Sequence, residues 1–182
     1  MLGIIGAMDE EVARLKEMIE DLEITDRCGM NFYKGKINGT DVVVVRCGVG
    51  KVNAAMCTQS MIDLFDVDAI INTGIAGSLD AAIDIGDIVF AVDTVEHDMD
   101  VAALGYDPGV VPDMETSVFD TDPYLLELAK ESVKAAGVEV KVFTGRVVSG
   151  DQFISSREKK NWLVSTFGGR CAECFSNISC SL

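Results

Sequence analysis

Hydrophobic and polar positions alternate along this chain with two periods, and the switches between them outline its elements. The apolar run "LGIIGAM" (2–8) predicts a buried strand ending in a turn. In "DEEVARLKEMIEDL" (9–22), Val12, Leu15, Met18 or Ile19, and Leu22 recur at helical spacing and predict an amphipathic helix. "NFYKGKING" and "DVVVVRCG" (31–48) read as two strands, joined at Asn38-Gly39, a strong hairpin signal. A helix over 50–65 follows, then a buried strand running into a glycine-rich turn over 69–79, and a further strand over 86–98. Residues 122–137 predict a helix, with Asp122 as N-cap, Pro123 in its first turn and Gly137 past its end. A strand over 138–151 and a glycine-closed helix over 155–169 complete the pattern. Beyond Phe167 the regularity stops: "GGRCAECFSNISCSL" offers no further hydrophobic strand and no amphipathic helix.

Strands alternating with helices predict an α/β fold with helices layered on the sheet. Ligands in such folds bind beyond the carboxyl ends of the strands, here at "GAMDEE", "TGIAGS" and "VSGDQFI". Residues 99–117 hold two prolines and two glycines and form a long loop. Loops of that length in compact domains are usually functional. Val101, Leu104, Tyr106, Val110, Val111 and Pro112 make this one too apolar to leave in water, so it is expected to cover a pocket or another subunit.

Composition narrows the partners. A length of 182 residues fits one domain, and 48% apolar residues can fill a substantial core. A net charge of −15 repels nucleic acid and anionic membrane surfaces, which leaves small molecules or proteins. The start has no basic segment before its apolar run, so no signal peptide is expected, and no run is long enough to span a bilayer. The expected compartment is the cytoplasm, where the cysteines stay reduced and Cys28, Cys47 and Cys57 read as small buried hydrophobes. His97 is the only histidine, so any histidine-based triad must use it and a multi-histidine metal site is excluded.

Four motifs invite chemistry. "GVGKVNAA" (48–55) fails the phosphate-loop pattern at Val45 and Val52 and the dinucleotide fingerprint at Asn53, leaving a tight helix-starting turn or a pocket wall. Asp9, Glu10 and Glu11 open a helix, where acids complement the dipole. One of them could instead point into a cleft as a general base. Cys171, Cys174 and Cys180 lack the second ligand pair that a structural zinc site requires, so no metal is expected. His97-Asp98-Met99-Asp100 reads as a solvated loop start in which Asp98 or Asp100 caps a turn.

Taken in order, "GIIGAMDEEV", "NGTDVVVVRCGVGKVNAA", "IINTGIAGSLD", "IGDIV", "HDMDVAALGY" and "VVSGDQFI" resemble the 5′-methylthioadenosine/S-adenosylhomocysteine nucleosidases over residues 1 to about 173. The resemblance implies a nucleoside phosphorylase-like, three-layer α/β/α fold with a central mixed sheet. It implies a homodimer and hydrolysis of the N-glycosidic bond of both nucleosides, with release of adenine and no cofactor or metal. Glu11 then takes the place of the water-activating base. Val49 and Gly77 line the substrate pocket, and Phe153 and Ile154 hold adenine by stacking and backbone hydrogen bonds. Val101, Leu104 and Pro112 match the loop that reaches across the dimer to cover the alkylthio group.

The resemblance fades after Glu173, which matches the first glutamate of a family motif. Cys174 stands where the family has Met, and Phe175 where it has the ribose-binding Glu. The family's last strand, its Ser-Asp pair with the general acid and its final helix have no counterpart. These features divide the chain into a nucleosidase-like domain over 1–173, incomplete by the family pattern, and a non-family tail over 174–182. Impaired turnover is the resulting expectation. Two other readings stay open: a purine nucleoside phosphorylase, with Arg46 and Lys51 as candidate phosphate cations, and a non-catalytic nucleoside-binding protein.

Overall fold

In the computed structural model, residues 1–173 are described. The fold is mixed α/β, and its strands form two five-stranded mixed sheets. The chain divides into two compact units, one formed by Met1–Ile75 and one beginning at Ala76.

The first unit contains β1 (Leu2–Gly6), α1 (Asp9–Glu17), β2 (Glu20–Arg27), β3 (Met30–Ile37), β4 (Thr40–Arg46), α2 (Lys51–Phe65) and β5 (Ala69–Asn72). Its sheet order is β2-β3-β4-β1-β5, with β1 parallel to both β4 and β5. The continuous run Val42–Val45 marks a strand buried on both faces. Val43 and Val45 join Ile5, Phe32, Cys57 and Met61 in one cluster, to which α2 contributes. Val42 and Val44 join Ile4 and Val12 in the other, under α1. Removing a buried valine side chain from such a site costs roughly 1.5–3 kcal/mol of burial.

Two expectations change here. The helix expected over 9–22 stops at Glu17, and Glu20–Arg27 is a strand exposed along its whole length. It is an edge strand paired only to β3, so it shows no alternation from which sequence could identify it. Cys28, expected to be buried, is exposed in the turn between β2 and β3. Cys28 and Gly29 have φ of 53° and 73°, nearly the values of Asn38 and Gly39 (49° and 78°), so both hairpins close through the same kind of two-residue turn. Glycine fits such a turn easily, whereas cysteine gives little warning of it.

The second unit contains β6 (Gly77–Ser78), β7 (Ile88–Glu96), a 3₁₀ turn (Ala102–Leu104), β8 (Phe119–Asp120), α3 (Pro123–Ala136), β9 (Val142–Ser149), α4 (Arg157–Phe167) and β10 (Cys171–Glu173). The sheet order is β6-β10-β9-β7-β8, with β7, β9 and β10 parallel. Helix α3 starts as its sequence predicts: Asp122 Oδ1 accepts from the Leu125 N–H at 2.9 Å, and Gly137 closes the helix in the left-handed region. Ser156 caps α4 by accepting from the Lys159 N–H. Val95, Val148, Leu163, Phe167 and Ala172 form the core, against which Ile154 and Trp162 pack. Beside it, the Arg146 guanidinium grips the Asp93 carboxylate with two nitrogens and donates to the Phe167 carbonyl.

Strand β10 corrects the expectation that no strand follows Phe167. It is three residues long, too short to show a period, and fully buried between β9 and β6. No helix among the described residues is long and apolar enough to cross a membrane.

Burial pushes the thiols of Cys47 and Cys171 up to about 11 and that of Cys57 higher still. A thiol near 11 holds on the order of 10²-fold less nucleophilic thiolate at pH 8 than an unperturbed one. Native iodoacetamide labelling at pH 8, read by peptide mass, is therefore expected to modify Cys28 and spare Cys47, Cys57 and Cys171. Labelling of Cys47 as fast as Cys28 would contradict this packing.

Candidate active site

The three acids that open α1 have different surroundings. Asp9 is exposed, 3.0 Å from Lys16 Nζ and 3.4 Å from Arg46 Nε. The hydrogen bond from Lys16 holds its carboxyl below the usual carboxylate range. Glu10 is exposed. Glu11 is half-buried and turns back over the end of β1. Its Oε2 accepts from the backbone N–H of Ala7 at 2.7 Å and of Met8 at 2.9 Å. Its Oε1 accepts from the N–H of Ile75 at 2.9 Å, just past β5.

Glycine makes this approach possible on both sides. A Cβ at Gly6 would lie 3.0 Å from Glu11 Cβ and 2.7 Å from Val12 Cγ1. A Cβ at Gly74 would lie 3.0 Å from Glu11 Oε1. An ionised carboxylate has about four acceptor positions. Backbone amides fill three of Glu11's, and the position left on Oε1 can take a water proton.

Cys47 is buried beside this group. Its N–H donates to the Gly6 carbonyl, and its thiol donates to the Gly48 carbonyl at 3.1 Å. Burial chiefly raises the thiol, and the Glu11 charge adds in the same direction, so Cys47 stays neutral at physiological pH. Val49 is half-exposed in the turn before α2. Its carbonyl accepts from Asn53 Nδ2 at 2.6 Å, so the residue that breaks the dinucleotide fingerprint braces the turn instead.

The remaining predicted residues lie in the second unit. Gly77 is exposed in β6, opposite Ala172 of β10. Phe153 is 81% exposed, whereas Ile154 is half-buried against the core. Val101 and Pro112 are half-buried, and Leu104 is 74% exposed. The long loop closes at its base, where the Gly109 N–H donates to the Met99 carbonyl at 2.8 Å. Asp100 caps the 3₁₀ turn by accepting from the Ala102 N–H.

The loop start at 97–100 differs from the solvated segment expected. His97 is only 2% exposed. With Ser149 and Glu173, both also buried, it lies at the carboxyl ends of three neighbouring parallel strands. Sequence reasoning missed this cluster, although "VVSGD" and a lone histidine after a strand were its visible signals. Among the described residues no group of three or more His, Cys, Asp or Glu side chains could hold a metal ion.

The chain matches the model of the phosphorylase superfamily over residues 1–174, and this places it in that class. It is 42% identical over 167 residues to the 5′-methylthioadenosine/S-adenosylhomocysteine nucleosidase of Staphylococcus saprophyticus, spanning 92% of this chain and 72% of the relative. With the corresponding protein of Colwellia psychrerythraea it is 41% identical over 160 residues, spanning 86% of this chain and 65% of the relative. Two solved structures superpose at a TM-score of 0.89. One is the Neisseria meningitidis nucleosidase in complex with methylthio-immucillin-A, 36% identical and covering 94% of this chain and 74% of that one. The other is the Colwellia psychrerythraea nucleosidase in complex with adenine, 38% identical and covering 94% and 71%. The chain belongs to the 5′-methylthioadenosine/S-adenosylhomocysteine nucleosidase family.

Proposed function

We propose that this chain hydrolyses the N-glycosidic bond of 5′-methylthioadenosine and S-adenosylhomocysteine and releases adenine. The observation that carries this reading is Glu11, held by three backbone amides with one acceptor position left, in a chain of this family. Cleaving the bond builds positive charge on the ribose and loads electrons onto the departing purine. Glu11 takes a proton from water as that water attacks the ribose carbon, and the purine leaves with the electron pair of the broken C–N bond and takes up a proton from solvent. Phe153 stacks on adenine and the Ile154 backbone hydrogen-bonds it, which is consistent with an uncovered ring beside an anchored neighbour. Val49 and Gly77 line the pocket. Phe175, at the position of the family's ribose-binding Glu, slows turnover relative to family members; it lies outside the described residues.

The working form in this proposal is a cytoplasmic homodimer. Val101, Leu104 and Pro112 of one protomer cover the alkylthio group bound by its partner. The exposed Leu104, at 74%, and Tyr106, at 41%, support this, because a second subunit would remove both from water. Residues 1–173 form a nucleosidase-like domain, incomplete by the family pattern, and 174–182 a tail outside that pattern.

Hydrolysis uses water as nucleophile, so adenine release from methylthioadenosine is expected to be equal with and without inorganic phosphate, and the product to be free methylthioribose. A phosphate-dependent rate with a sugar 1-phosphate product would establish the phosphorylase reading instead. For the dimer, Leu104→Asp is expected to shift light scattering at micromolar protein from dimer toward monomer, because the substitution buries an unpaired charge. A wild-type chain that is monomeric under those conditions would contradict the shared site.

A further inference from the structure

The loops after β7 and β9 are fastened to each other at three points. The His97 N–H donates to the Ser149 carbonyl at 2.9 Å. The Asp151 N–H donates to Asp98 Oδ2 at 2.7 Å. Gly150 lies against the His97 side chain so closely that a Cβ there would be 2.6 Å from Nε2, 2.7 Å from Cε1 and 2.8 Å from Asp98 Cγ. The Gly150 N–H also donates to the Glu173 carbonyl at 3.3 Å, which ties the same loop to the end of β10. Four residues further on, Ile154 is anchored in the core. The segment 151–153 is therefore held at both ends, while the Phe153 ring between them stays uncovered.

We infer that His97 and Asp98 are positioning residues for purine binding, fixing the backbone of 150–154 so that Phe153 and Ile154 meet the base in one geometry. This rests on the reading of Phe153 and Ile154 given above. Asp98 supplies an acceptor that sets where Asp151 sits. The buried His97 imidazole supplies a rigid wall on which the loop closes, and only glycine at 150 allows that approach. Their effect is on the loop, not on the reacting atoms. Without them the stacking ring would sample several positions, and adenine would have to order it on binding.

The test uses the full chain and adenine as probe, with affinity from calorimetry and amide exchange of the 150–154 segment from mass spectrometry. Asp98→Ala is expected to weaken adenine at least about tenfold and to speed exchange in the segment, as loss of a hydrogen bond to a charged group does. Asp98→Asn, which keeps an acceptor oxygen, is expected to restore both to within about threefold. Gly150→Ala, which pushes the loop off His97, is expected to behave like Asp98→Ala. Phe153→Ala is expected to weaken adenine without changing exchange. If Phe153→Ala weakens adenine while Asp98→Ala and Gly150→Ala both leave it unchanged, the positioning role is overturned. If Phe153→Ala itself leaves adenine unchanged, the purine reading fails and the inference falls with it. Circular dichroism and thermal melts identify any variant that has lost its fold, and the Asp98 pair then decides.

Discussion

The Glu11 carboxylate, gripped by the backbone amides of Ala7, Met8 and Ile75, is the interaction on which the rest of the account depends. It joins the ends of two parallel strands, β1 and β5, through a side chain from the first turn of α1. Three consequences follow from it. The start of α1 is fixed, because Met8 donates back to a residue within that turn. Gly6 and Gly74 cannot readily carry side chains, because Glu11 occupies the space beside both. The carboxylate itself has one orientation, as suits a group placed for proton transfer.

Electrostatics around this group suits water better than phosphate as nucleophile. The chain carries a net charge of −15, and Asp9, Glu10 and Glu11 are consecutive. Arg46, one of two cations considered for a phosphate pocket, stands 3.4 Å from the Asp9 carboxylate. Cys47 is kept neutral by burial and donates its hydrogen to a carbonyl. It adds no charge beside the Glu11 carboxylate.

Legibility in the sequence followed the range of the interaction. Asn38-Gly39, the valine run of β4 and the Asp122-Pro123…Gly137 frame of α3 are local signals, and their elements lie where those signals put them. Strand β2 was illegible because an exposed edge strand needs no alternation, and the helix-like spacing of Met18, just past α1, and Leu22, in β2, leads both to solvent. Strand β10 was too short to read. In the candidate site, a carboxylate after the first strand was visible, but the choice among three adjacent acids depended on an amide 64 residues away. The burial of His97 escaped for the same reason, since the partner loop that closes over it follows a different strand.

The central claim is that Glu11 acts on water, beyond organising its two loops. Glu11→Gln separates the roles best, because glutamine keeps the shape and, with its oxygen toward Ala7 and Met8, gives up only the Ile75 amide contact, yet it is far too weak a base. Adenine affinity and adenine release from methylthioadenosine should be measured on the same preparations of wild type and variant, under single-turnover conditions. The predicted result is adenine affinity within about threefold of wild type and release slowed by about 10²–10⁴-fold, the usual contribution of a general base. Release within tenfold of wild type, with binding intact, would show that Glu11 is a structural clamp and that the catalytic base lies elsewhere.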